Sequence, residues 1–213
     1  MKYLDQYRDP ELARGLLDRI AAVAGRLGRP VTIMEVCGSH TQAIGRNGIR
    51  KLLPPGIRLI SGPGCPVCVT SAGDVDRALW LAGRAGLIFT TFGDMLRVPG
   101  TDGMSLQLLR AAGADVRVVS SALDCLDLAE REGNREVVFM GIGFETTAPT
   151  IAAMVRSARS RGLANLSVFS VHKIVPPALR LLLADPLIKL DGFLCPGHVS
   201  IMLGAGAYRF IPE

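Results

Sequence analysis

Reactive side chains in this 213-residue chain gather in a few short stretches. Each of the three histidines follows an apolar run of strand length: Val36-Cys37-Gly38-Ser39-His40, Phe169-Ser170-Val171-His172 and Leu194-Cys195-Pro196-Gly197-His198. Cys37, Cys65 and Cys68 stand in the same kind of place. Parallel α/β sheets bind ligands in the crevice at the carboxyl ends of their strands, so this placement singles the residues out. The sharpest local signal is Gly62-Pro63-Gly64-Cys65-Pro66-Val67-Cys68. A C-x-x-C pair either closes a disulfide or puts two thiolates on one metal ion. A helix predicted from near Ser71 would favour thiolate there through its N-terminal dipole. Structural zinc takes four ligands, usually from two such pairs, and the second pair is missing; a plain zinc ribbon is excluded.

The other candidates carry two readings each. Cys37 closes an apolar strand and precedes Gly38, Ser39, His40 and Thr41, small and polar residues that let a ligand approach the backbone. The plain alternative is a buried structural cysteine. Cys125, inside an amphipathic helical stretch, fits that alternative, whereas Cys195, at a strand end before Pro196, fits either. Gly141-Ile142-Gly143-Phe144-Glu145-Thr146-Thr147 follows a strand and opens a helix, as a dinucleotide fingerprint does, but Thr146 stands where the third glycine belongs. Thr146 and Thr147 serve equally as helix caps. Glu145, at a strand end, is a candidate proton acceptor or hydrogen-bond partner for a thiol.

The elements that must position these residues follow from hydrophobic pattern. Continuous Val/Ile/Leu/Phe runs predict strands at 31–37, 57–61, 87–92, 116–120, 137–142, 166–171 and 192–195, of the kind covered on both faces. Between them, three- and four-residue apolar spacing predicts helices: one carrying Leu12, Leu16, Leu17, Ile20 and Val23, one starting at Ser71, and others at 105–112, 123–132, 148–161 and 176–183. Strand–helix alternation means parallel sheets. The expected fold is α/β, with two Rossmann-like subdomains of mainly parallel sheets flanked by helices. The alternation breaks near residue 120, which predicts a first subdomain at 1–120 with Cys37 and the Cys65/Cys68 pair, and a second at 121–213. The second half is thin, with three strands, and reads as part of a longer protein.

Composition narrows the function classes. Hydrophobic residues make up 49% and charged residues 20%, too apolar for a disordered chain. The net charge of +5 is spread out, and the densest basic stretch, Arg156 to Arg161, reads as a solvated helix end without the interleaved aromatics of a single-strand binder. No nucleic-acid partner is expected. The N-terminus lacks the apolar core of a signal peptide, and no run of about 18 uncharged apolar residues predicts a membrane span. Five cysteines, an odd number, without an export signal, point to the reducing cytoplasm.

Four motifs, taken together and in order, resemble the hydrogenase maturation factor HypD family: Glu35-Val36-Cys37-Gly38-Ser39-His40-Thr41, Gly62 to Cys68, Gly141 to Thr147, and Pro196-Gly197-His198-Val199-Ser200. The resemblance runs from about residue 30 to 200. It implies a scaffold that, with the small partner HypC, holds and assembles an iron carrying two cyanides and one carbon monoxide for nickel–iron hydrogenase. The cyanides would come from HypE working with HypF. On this resemblance Cys37 is the iron ligand, beside a cysteine from HypC, and Cys65 and Cys68 are a redox-active pair. Gly38, Ser39, His40, Thr41 and Thr146 would surround the bound group, and Glu145 and His198 would join the catalytic set. Relatives also carry a C-terminal 4Fe-4S region with no counterpart before Glu213, so no such cluster is expected in this chain. Two other readings stay open: a thiol–disulfide oxidoreductase using Cys65 and Cys68, and a nucleotide binder built on Gly141–Thr147.

Overall fold

The structure, a computed structural model, describes residues 5–211. Its first half runs α1 (Pro10–Leu27), β1 (Val31–Glu35), α2 (Gly38–Arg46), α3 (Ile49–Leu52), β2 (Ile57–Ser61), α4 (Ala72–Ala82), β3 (Leu87–Thr91) and α5 (Leu106–Ala111). There follow β4 (Val116–Val118), α6 (Asp124–Arg131), β5 (Glu136–Gly141), α7 (Ala148–Ser160), β6 (Leu166–Ser170), α8 (Val175–Ala184), β7 (Gly192–Leu194) and α9 (Gly197–Leu203). All seven expected strands and all six expected helices form. The chain is α/β, with two parallel sheets flanked by helices.

Helix ends obey local chemistry. The Asp9 carboxylate accepts from the amides of Glu11 and Leu12 to start α1, Pro10 occupies its first turn, and Gly28 closes it at φ 62°. Ser71 caps α4 by accepting from the amide of Asp74, and Ser105 caps α5 through Leu108. Each such cap contributes about 1 kcal/mol.

Contacts divide the chain into two units. One comprises the residues up to Gly64 together with those from Pro176 onward; the other is Cys65–Val175. In the first, three parallel strands lie in the order β2-β1-β7, with Val31 opposite Ile57 and Ile33 opposite Gly192. In the second, four parallel strands lie in the order β4-β3-β5-β6. The expected division into 1–120 and 121–213 therefore differs from the strand pairing. β3 and β4 share a sheet with β5 and β6, and β7 returns to the free edge of β1. Hydrophobic pattern gives strands in chain order, but it does not say which edges meet.

The second unit holds the denser core. Ile88 and Phe89 of β3 and Val137, Phe139 and Met140 of β5 are fully buried, as continuous apolar runs in a sheet covered on both faces should be. Phe92 meets Phe139 edge to face with ring centroids 5.4 Å apart. Burying each such ring contributes about 2–3 kcal/mol. This gives the loops at the strand ends a rigid base.

Candidate functional site

In each sheet the chain order reverses beside a central strand, and parallel sheets of this kind bind ligands at the carboxyl ends of the strands that flank the reversal. In the first unit those strands are β1 and β7, which lead into Cys37-Gly38-Ser39-His40 and Cys195-Pro196-Gly197-His198. In the second they are β3 and β5, which lead into Phe92-Gly93-Asp94 and the Gly141–Thr147 loop.

Cys37 is fixed from beneath. Glu35, the last residue of β1, is fully buried and accepts hydrogen bonds through Oε1 from Arg50 at 2.7 Å and from the Ser61 hydroxyl at 2.6 Å. A buried carboxylate is costly unless paired, so this arrangement locks the ends of β1 and β2 to α3. Main-chain bonds continue the lock: Gly62 donates to the Glu35 carbonyl, Val36 to Leu194 and Gly38 to Gly64 at 2.9 Å. A Cβ on Gly64 would sit 2.6 Å from both the Cys37 carbonyl carbon and the Gly38 nitrogen, so only glycine fits. The glycines before the C-x-x-C pair thus serve the Cys37 loop.

The sequence reading left Gly38–Arg46 and Gly197–Leu203 without helices; both fold as helices, α2 and α9. Their polar first turns and short lengths hide the 3.6-residue period. Cys37 is buried at the N-cap of α2, with extended backbone (φ −176°) and its Sγ 2.9 Å from the Ser39 hydroxyl. Thr41 donates its amide to the Cys37 carbonyl at 3.1 Å. His40 is half-buried on the same turn, and its Nδ1 is buried with no hydrogen-bond partner. Structure thus brings Cys37, Gly38, Ser39, His40 and Thr41 onto one helical turn. His198 is exposed in the first turn of α9. Cys195 is half-buried, and burial pushes its thiol up from the ordinary value.

The second unit holds Cys65, Cys68, Glu145, Thr146 and His172. Both thiols of the pair are free; Cys65 is half-buried and Cys68 exposed. The backbone N–H of Cys68 donates to Cys65 Sγ at 3.3 Å. A hydrogen bond to Cys65, aided by burial and by the Cys65 charge, pushes the Cys68 thiol up. The pair is asymmetric in exposure and in hydrogen bonding, with Cys65 Sγ accepting the Cys68 N–H. Just beyond it, the Ser71 hydroxyl first, and then the charges of Lys173 and Arg77, hold the Asp74 carboxyl down; the Lys173 ammonium lies 3.5 Å away.

Glu145 accepts the Val175 N–H through Oε1 at 2.7 Å, capping α8, and its Oε2 is buried without a partner. Thr146 is half-buried, and the Thr147 hydroxyl donates to the Phe144 carbonyl at 2.9 Å. His172 Nδ1 lies 2.9 Å from the Ser170 hydroxyl, while Nε2 is buried and unpartnered. Burial, then the neighbouring Lys173 charge, lowers the His172 pKa. Cys125 is fully buried against the Thr90 hydroxyl, and burial pushes its thiol up to about 11, in keeping with a structural cysteine. Sequence reasoning missed the Glu35–Arg50 anchor and the Lys173–Asp74 pair. The only signal for the first was a carboxylate ending an apolar run, and for the second a lysine directly after a strand-end histidine.

Among the described residues, no three of His, Cys, Asp and Glu converge closely enough to hold a metal ion, and no helix is long and apolar enough to cross a membrane. A family model named HypD, described as "Hydrogenase formation hypA family", matches residues 11–213. The chain belongs to the HypD family. It is 52% identical over its whole length to "Hydrogenase maturation factor HypD" of Rhodobacter capsulatus. Proteins of the same printed name from Rhizobium leguminosarum bv. viciae and Escherichia coli (strain K12) are 47% and 46% identical over 100% and 99% of the chain. The chain spans 57% of the length of each of these relatives. In this HypD-family chain the Cys37 turn belongs to the first unit and the Cys65/Cys68 pair to the second.

Proposed function

We propose that the chain works in hydrogenase maturation as the part of a scaffold that holds iron while its cyanide and carbon monoxide ligands are assembled. The observation that carries this is the Cys37 turn: one buried thiol, at a helix N-cap, on a backbone fixed by glycine contact. Among the described residues no set of three ligand-capable side chains forms around it, so Cys37 is suited to supply one soft ligand to an iron whose other ligands come from elsewhere. A cysteine of a small partner of the HypC kind completes the set, and HypE with HypF supplies the cyanides. Ser39, His40 and Thr41 stand on the same turn, in position to donate hydrogen bonds to cyanide nitrogen. Iron here is the cargo, not a resident cofactor.

Cys65 and Cys68 serve as a two-electron reservoir. When their sulfurs join in a disulfide, two thiol protons and two electrons leave, and an electron acceptor in the assembly takes them up. The N–H that Cys68 directs at Cys65 Sγ favours this redox role over a purely structural one.

Infrared spectroscopy of the chain purified anaerobically with its small partner tests the reading. Cyanide and carbon monoxide stretching bands are expected in the wild type and absent in Cys37→Ala. Bands that persist in that variant overturn Cys37 as the ligand. A thiol–disulfide oxidoreductase is the second reading, favoured by the asymmetry of the pair; it requires turnover on a disulfide substrate without iron.

A further inference from the structure

The exposed face of α2 carries a cavity of about 450 Å³ that shares only Ser39 with the proposed iron site. Ser39, Gln42, Ala43 and Arg46 line it at i, i+3, i+4 and i+7, which places them along one stripe of the helix, while Ile44 is buried in the core. Tyr7 and Arg8, just ahead of the Asp9 cap of α1, supply further lining. Ala43 leaves the centre of the stripe open, and Asn47 adds an amide at its end. Among the described residues, no carboxylate lines the space.

Among the described residues neither Arg8 nor Arg46 forms an ion pair, which they share with other exposed arginines such as Arg14 and Arg58; what sets them apart is that both line one concavity. The remaining polar lining consists of hydroxyl and amide groups, all able to donate. A concave site of this volume is within the usual range for small molecules, and two guanidinium groups match an oxyanion.

We propose that this cavity binds a small molecule through a carboxylate or phosphate group held by Arg8 and Arg46. Ser39 belongs both to the cavity and to the Cys37 contact, so the bound molecule lies one residue from the thiol. Binding requires no iron and stands apart from the maturation reading.

Calorimetric titration of the chain with inorganic phosphate, and separately with acetate, at roughly physiological ionic strength tests the proposal. At least one probe is expected to saturate. Arg46→Ala and Arg8→Ala should each weaken it about tenfold or more, while Arg156→Ala on α7 leaves it unchanged. Both lining arginines are exposed, and melting curves verify that the variants fold. Saturation by phosphate alone identifies a phosphate ester as the ligand class, and saturation by acetate alone a carboxylate. No saturation by either probe, an equal response to matched sodium chloride, or binding that survives both arginine substitutions overturns the proposal.

Discussion

The carboxyl edges of the two sheets use similar residues for different ends. In the first unit, Gly64 presses on main chain, and Glu35 is buried with its charge answered by Arg50 and Ser61. In the second, Gly143 makes room for a side chain: a Cβ there would lie 2.7 Å from Thr147 Cβ. The second carboxylate, Glu145, caps a helix. Backbone against backbone cannot rearrange, whereas Thr147 can rotate its hydroxyl and methyl away, though not its Cβ, so relief there is partial. The loop that carries the buried Cys37 thiol is therefore the less forgiving of the two, as the proposed presentation of one ligand atom in one position would require.

Gly64→Ala is the strongest way to break that comparison. The added methyl has no flexible neighbour to displace, so the expected loss is about 3 kcal/mol, read as a fall in the denaturant midpoint. Gly143→Ala should be somewhat milder, about 2 kcal/mol, because Thr147 can rotate its hydroxyl and methyl away and give up its bond to the Phe144 carbonyl, while its Cβ and the positive φ of 156° still oppose the added methyl. Equal losses would mean that the two loops are equally rigid and that the contrast is false.

The same contrast explains what could be read from sequence. Strands were legible because β3 and β5 are continuous apolar runs, and two helix starts because Ser71 and Ser105 mark them. The motif positions were legible as well: Cys37, Cys65 and Cys68, Glu145, and the three histidines do follow strands. Strand pairing was not, since β7 resembles any short edge strand until β1 accepts it. The purpose of Gly62-Pro63-Gly64 was also hidden. It reads as scaffolding for Cys65, but its contacts are with Gly38 and Cys37, 26 or more positions back along the chain. Polar helices such as α2 escape a method that counts apolar periods, and α2 carries most of the candidate iron site.

A smaller effect sharpens the role of Glu145. If it only caps α8, Glu145→Gln keeps an acceptor for the Val175 N–H and leaves stability nearly unchanged, while Glu145→Ala costs about 1 kcal/mol. If it also takes a proton from a thiol, Gln slows oxidation of Cys65 and Cys68 by oxidised glutathione as much as Ala does. Rates and denaturation midpoints measured on the same two variants separate the roles.

The smallest expected effect is a pH dependence belonging to the second unit. His172 has a folded-state pKa below its ordinary value of 6.5, chiefly from burial and then from Lys173. The unfolded chain therefore binds the proton more readily, and stability rises with pH across this window. The contribution is complete above about pH 6.5 and is lost as pH falls through the lower folded value. Asp115 behaves alike in a separate, more acidic window: its bonds to Arg117 and then Arg135 hold its carboxyl below the ordinary 3.8, so its contribution is lost only as pH drops beneath that value. Melting temperatures between about pH 7 and pH 5.5 should fall slightly for the wild type and less for His172→Gln, which cannot titrate there. An identical fall in both would place the titrating group elsewhere and leave the buried Nε2 of His172 without a part in the acid response of its loop.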